Sequence, residues 1–233
     1  MRYLALTLAF FSVTALAIVA MVMCLSPGPV KRIAKNRLAS VSVFVVNEDD
    51  EITKTGSGFV VSAKNRFVLT AAHVVTAAVS GANLVLAFPT PSGRYDGAVA
   101  YIVNIDYDRD FALLWAPEAK FTSEVILGSD QKLLPGSFIY AIANILGTKY
   151  QVYSQGYFSG RSNLGLMVDM KGAPGASGGC VFDIDGKLVG IAQKLDNPPL
   201  IWAFTHAAPV SQIRPFLLYT NQCLSPAYCW PGE

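Results

Sequence analysis

Between Leu38 and Pro209 the chain repeats one pattern. Short runs rich in β-branched or aromatic residues are broken by Gly, Pro, Asn or Ser. VSVFVV, GSGFVVSA, RFVLTAA, NLVLAF, GAVAYIVNI and FALLW come first; SFIYAIANI, YQVYSQGYF, LGLMVDM, CVFDIDGKLVGI and LIWAFTHAAPV follow. Many short strands with turn signals between them predict an all-β sandwich or barrel. Residues 211–219, SQIRPFLLY, read as a helix packed after the last strand, with Pro215 arguing against its continuity. The pattern therefore predicts a linker over 26–37, marked by Pro27 and Pro29, a globular domain over 38–219 and a tail over 220–233. No internal repeat, heptad or low-complexity tract interrupts it.

A different pattern occupies the amino end. No charged residue falls between Tyr3 and Leu25. A helix of about 20 apolar residues crosses a bilayer core, whereas the apolar part of a cleaved signal peptide has roughly 7–15. Ala15-Leu16-Ala17 has the form of a cleavage site, but cutting there would leave IVAMVM on the mature chain. An uncleaved, single-pass transmembrane helix over 1–25 is the preferred expectation, and a signal segment leading to secretion is the alternative. A buried core helix ranks third.

Sidedness receives opposite signals. Lys31, Arg32, Lys35 and Arg37 follow the span and only Arg2 precedes it, which places the carboxyl side in the cytoplasm. Cys223 and Cys229 lie close enough in sequence to form a disulfide, which needs an oxidising compartment. Two free thiols are an equally open reading. The working expectation is an extracytoplasmic domain. Cys24 follows Met21-Val22-Met23, a poor match to a lipoprotein cleavage site, and Cys180 reads as a small buried hydrophobe.

Composition narrows the function classes. The 233 residues are 52% hydrophobic and 15% charged, with a net charge of +2. That supports a sizeable core and argues against disorder. No Lys/Arg run suggests a nucleic-acid partner, and no Cys/His cluster has metal-ligand spacing, so neither a metal nor another cofactor is expected.

The chemistry centres on residues 172–183, GAPGASGGCVFD. GASGG satisfies G-x-S-x-G, the nucleophile elbow of α/β-hydrolases, and Asp183, Asp185 or Asp196 followed by His206 would complete the order Ser, Asp, His. That elbow must lead into a helix. Here two apolar runs flank Asp185-Gly186, a hairpin signal. A phosphate cradle would need G-x-x-x-x-G-K-[ST], which is absent. The remaining order is His, Asp, Ser. Among only two histidines, His73 lies in FVLTAAHVV, where a strand runs into a tight helical turn. Asp110 opens the apolar run DFALLW and is preferred over the competing Asp106 and Asp108. Ser177 comes last. This is the order of chymotrypsin-type proteases. His206 reads as a structural strand residue, with a pocket role as the alternative.

TAAHVV, DFALL and PGASGG together resemble the motifs of trypsin-like serine proteases of the HtrA/Deg type. LPGSFIYAIANILG and WAFTHAAPVSQIRPFL resemble further stretches, so that the likeness covers about Leu38 to Leu218. The resemblance implies two six-stranded antiparallel β-barrels and a short carboxyl-terminal helix, without a PDZ domain. It implies a serine endopeptidase acting on protein or peptide substrates, with His73 as base, Asp110 as its orienting carboxylate and Ser177 as nucleophile. The N–H groups of Gly175 and Ser177 would form the oxyanion hole. Lys171, Gly172 and Ala173 would wall the substrate pocket on one side, and Ala192, Gln193 and Lys194 on the other. Lys171, Lys194 and His206 would then favour polar or acidic substrate side chains, unless the lysines are simply solvated.

Ala176 replaces the aspartate that captures a new amino terminus in chymotrypsin-like zymogens. A recombinant domain over residues 38–233 is therefore expected to be active without trimming, a point an assay before and after limited proteolysis decides. Two other classes stay open: a catalytically silent binding module on a protease fold, and an esterase or acyltransferase using the same three residues.

Overall fold

The computed structural model describes residues 29–195 and 205–223, with the side chains of residues 29, 194, 195 and 221–223 left aside. The transmembrane helix expected over 3–25 and the Cys223–Cys229 pairing lie outside the described residues. Among those residues, no helix is long and apolar enough to cross a membrane.

Twelve strands form two closed antiparallel barrels. The first holds β1 (Ser40–Val46), β2 (Ile52–Ser62), β3 (Phe67–Thr70), β4 (Asn83–Pro89), β5 (Tyr95–Asp106) and β6 (Phe111–Trp115), in the order β1-β2-β3-β6-β5-β4. The second holds β7 (Phe138–Asn144), β8 (Gln151–Ser162), β9 (Gly165–Asp169), β10 (Cys180–Asp183), β11 (Leu188–Leu195) and β12 (Thr205–Pro209), in the order β10-β11-β12-β9-β8-β7. β1 pairs with β4, and β10 with β7, so each sheet closes and leaves no free edge. The hairpin expected at Asp185-Gly186 joins β10 to β11: Asp183 N–H donates to Lys187 O at 2.9 Å, and Gly186 has φ +76°.

The apolar runs alternate poorly because both faces of many strands are buried. Within a strand, successive side chains point to opposite faces. On β3, Val68 joins the interior of the first barrel while Leu69 joins a core shared by both barrels. On β6, Ala112 and Leu114 turn inward while Phe111 and Leu113 join the shared core. On β10, Val181 fills the second barrel while Cys180 and Phe182 join the shared core. Three cores result: one inside each barrel and one between them.

Two helices close the shared core. The segment read as a linker over 26–37 instead holds helix α1, Pro29–Leu38. Pro29, one of the residues that suggested a linker, fits a helix start equally well, since Pro is favoured at the first helical position. Lys35 and Arg37 in the last turn suit the negative end of the helix. Asn36, buried, donates to Tyr140 Oη and to Gly186 O, each at 2.9 Å, and Arg32 donates to Ile184 O at 3.1 Å. The folded domain thus starts before Leu38.

After a short helix α2 (Ala72–Val75), the last helix is α3, Val210–Cys223, longer than the 211–219 expected and continuing through Pro215. Burial of Ile213, Phe216 and Leu217 in the shared core offsets the missing N–H at Pro215. Its amino end is capped from a distance. Buried Asp130 accepts hydrogen bonds from Ser211 N at 2.8 Å, Ser211 Oγ at 3.2 Å and the Arg161 guanidinium at 3.1 Å. Asp130→Ala removes the cap and the charge-assisted bonds together and is expected to cost about 3 kcal/mol. Urea unfolding checks this: the midpoint falls with the slope unchanged.

Candidate active site

The site lies where the barrels meet, and three short segments bring its groups there. β3 ends at Thr70, and α2 begins two residues later, so His73 sits in the first turn after a buried strand. Asp110 precedes β6 and takes a left-handed φ of +59°. Asp is among the few residue types that tolerate this region. The turn aims both carboxylate oxygens at one residue. Oδ1 accepts His73 N–H at 2.8 Å, and Oδ2 pairs with His73 Nδ1 at 2.8 Å. Asp110 O in turn accepts Ala72 N–H at 3.1 Å. The imidazole is therefore fixed at both backbone and ring, with the Nδ1–H tautomer demanded by the carboxylate and Nε2 left as the acceptor. Of the competing carboxylates, Asp106 pairs with Arg109 at 3.1 Å and Asp108 faces solvent. Lys54 Nζ donates to the His73 carbonyl.

Ser177 is held by both barrels. Its carbonyl accepts Ser57 N–H of β2 at 2.7 Å, and the next amide, Gly178 N–H, donates to Ala192 O of β11 at 2.7 Å. The Ser177 hydroxyl donates to Gln193 O at 3.3 Å. No hydrogen bond joins Ser177 Oγ to His73 Nε2 among the described residues. Apo sites of this kind often tighten only once substrate is bound.

The glycine-rich loop before the serine is fastened at several points. Ala176 N–H closes a turn onto Ala173 O at 3.0 Å, Leu146 N–H donates to Pro174 O at 2.8 Å, and Ser57 Oγ donates to Gly175 O at 2.8 Å. Gly175 has φ +92°. The N–H groups of Gly175 and Ser177 have no protein acceptor among the described residues.

Two cavities adjoin these groups. One, of about 330 Å³, is lined by His73, Asp110, Leu164, Gln193 and His206. The smaller, of about 140 Å³, takes Gly172, Ala173, Pro174, Ala176, Ser177, Ala192, Gln193 and Thr205. Gly172, Ala173, Ala192 and Gln193 thus line one cavity together with Ser177. Lys171 does not; it is exposed and lines neither cavity. The Lys194 side chain is outside the description. His206, on β12, is buried and lines the His73 cavity. Positive charge on the small pocket therefore finds no support from Lys171.

Thr205, Leu164 and Ser57 escaped the sequence reading. Ser57 carried a signal, a hydroxyl between two glycines in the strand GSGF, but Thr205 and Leu164 carried none. Cys180 is inert: burial pushes its thiol up to about 12.

A Trypsin-like peptidase domain model matches residues 56–191. A probable periplasmic serine endoprotease, DegP-like, of Marinomonas sp. is 34% identical over 148 residues, covering 60% of this chain and 29% of that protein. The periplasmic pH-dependent serine endoprotease DegQ of Escherichia coli is 30% identical over 146 residues, 58% of this chain and 30% of that one. Serine protease HTRA1 of Xenopus laevis is 29% identical over 175 residues, covering 70% and 35% respectively. The chain spans about a third of the length of these relatives. The crystal structure of Deg5 superimposes with a TM-score of 0.68 at 22% identity, over 81% of this chain and 93% of that one, which speaks to the fold. Two barrels, a His–Asp pair on one and a serine loop on the other, and a family model covering more than half the residues lead to one assignment: the chain belongs to the trypsin-like peptidase family, with HtrA-type relatives.

Proposed function

We propose that this protein is a membrane-tethered serine endopeptidase, with His73, Asp110 and Ser177 as its catalytic triad. The observation carrying the reading is the double grip of Asp110 on His73, both contacts at 2.8 Å, beside a serine clamped between the barrels. His73 Nε2 takes the Ser177 proton as Oγ attacks the peptide carbonyl. Asp110 holds the resulting imidazolium in place. The oxyanion is received by the free N–H groups of Gly175 and Ser177. The imidazolium then protonates the leaving amine, and water, activated by the same His73, hydrolyses the acyl-enzyme.

A substrate strand would lie along β11 at Ala192–Lys194, with its side chain in the small cavity beside Ser177. Walls of glycine, alanine, proline and threonine suit a short side chain there. Residues 3–25 would anchor the chain, with the protease domain outside the cytoplasm, the side named for the periplasmic relatives.

Fluorophosphonate labelling tests the reading. Wild type is expected to label, and Ser177→Ala and His73→Ala are expected not to. A folded wild-type chain that never labels would favour a silent binding module. Labelling with ester turnover but no peptide cleavage would favour acyl transfer.

A further inference from the structure

Gln193 sits at an irregularity. The β11–β12 register pairs Ala192 with Ala207 and Lys194 with His206, leaving Gln193 bulged out of the ladder. A bulge re-aims a side chain, and such bulges recur beside active sites. Here the side chain leaves the second barrel and crosses to the first. Its Nε2 donates to Arg109 O at 2.7 Å and more weakly to Asp110 O at 3.4 Å. Both partners are carbonyls, which only accept, so the amide must present its nitrogen. The same residue's backbone carbonyl accepts the Ser177 hydroxyl at 3.3 Å. Gln193 is also the residue common to the cavity around His73 and the cavity around Ser177.

The residue it reaches is strained. Asp110 at φ +59° lies in the left-handed region, which Asp tolerates better than most residues but which still costs free energy that its surroundings must offset. Ala72 N–H holds Asp110 O from within the first barrel. The Gln193 amide adds a hold from the second barrel, on the carbonyl of the preceding residue and on Asp110 itself. The carboxylate that grips His73 is thereby referenced to the strand that carries the substrate.

We infer that Gln193 is a positioning residue, whose side-chain amide straps the Asp110 turn to the substrate strand and so keeps His73 in register with Ser177. This rests on the triad proposed above. The rival role is a plain substrate contact, as the position on β11 alone would suggest.

The two roles separate experimentally. In the full chain, Gln193→Ala removes the strap, and Gln193→Glu puts an acceptor against two carbonyls at unchanged size. Both variants are expected to lower kcat for a peptide substrate by about 10²-fold, the scale of a displaced catalytic group, with KM within about twofold of wild type. Gln193→Asn, one methylene short, is expected to behave like alanine. Diisopropyl fluorophosphate has no peptide chain to fill the cleft, so its inactivation rate should fall by the same factor as kcat. The downfield proton resonance of His73 Nδ1–H, assigned with ring-labelled histidine, should broaden in the variants. Wild-type inactivation rates, an intact resonance and a loss confined to KM would overturn the inference. A wild-type chain that is inert to the probe would instead sink the proposed activity. The resonance would then still decide whether Gln193 holds the His73–Asp110 pair.

Discussion

Turnover by Ser177→Ala or His73→Ala is expected to fall about 10⁶-fold, and the double variant is expected to be no slower than either single one. Under the proposed mechanism the two residues act as one device. Without the serine there is no acyl-enzyme for the histidine to assist, and without the histidine the hydroxyl stays protonated and a poor nucleophile. Asp110→Asn should lose about 10⁴-fold: with the amide oxygen kept on the His73 N–H, its NH2 would face Nδ1 and impose the wrong tautomer in place of the Nδ1–H that Oδ2 now accepts at 2.8 Å. Residual activity in every variant should exceed the uncatalysed rate, since the Gly175 and Ser177 N–H groups remain. Active-site titration with a burst substrate separates these losses from loss of folded protein. A double variant much slower than the singles would show that the two groups act independently and would count against a triad.

Gly178→Ala is expected to abolish activity and to destabilise the domain by several kcal/mol, more than most single substitutions do. Gly178 has φ +84°, where a side chain is strained. An added Cβ would overlap the Ser57 carbonyl oxygen and lie 2.6 Å from Thr70 Oγ1. Those atoms belong to the first barrel and are tied to each other, Thr70 Oγ1 donating to Ser57 O at 2.6 Å. Neither can retreat without parting β2 from β3 or lifting Ser177 off Ser57. Thermal unfolding and fluorophosphonate labelling of the same preparation check both halves. A variant that melts like wild type and still labels would show the barrels to be less tightly closed at this point. Gly175→Ala, whose Cβ would be 3.0 Å from Asn144 O, should be milder in stability but still slow, because it shifts an oxyanion donor.

How much of this was legible beforehand differs by element. The strands were, because β-branched runs and turn residues mark them, and the Asp185-Gly186 hairpin had a local signature. The pairing of His73 with Asp110 had a signal too, since each stands at the edge of an apolar run; the catalytic roles given to them and to Ser177 remain the proposal. Helix α1 was not. Its one proline, Pro29, serves a linker and a helix start alike, and what decides between them is Asn36 reaching Tyr140 and Gly186, more than a hundred residues away in the chain. The extent of α3 was hidden for the same reason, since burial of Phe216 and a cap from Asp130 outweigh the local effect of Pro215. Lys171 was assigned to the pocket by likeness alone, and the side chain turns to solvent. The reach of Gln193 to Arg109 depends on a bulge, and a bulge leaves no mark in composition.

The docking of α1 has a consequence for reach. Helix α1 begins at Pro29, and the apolar run expected to cross the bilayer ends at Leu25. Three residues lie between them, and even fully extended they span only about 10 Å. Under the membrane reading, α1 is a stiff bracket bonded to the β10–β11 hairpin and not a leash. The catalytic groups would sweep a thin shell of space above the bilayer at nearly fixed height. Under the same proposal, the substrates within reach would be polypeptides emerging from, or lying against, the membrane surface.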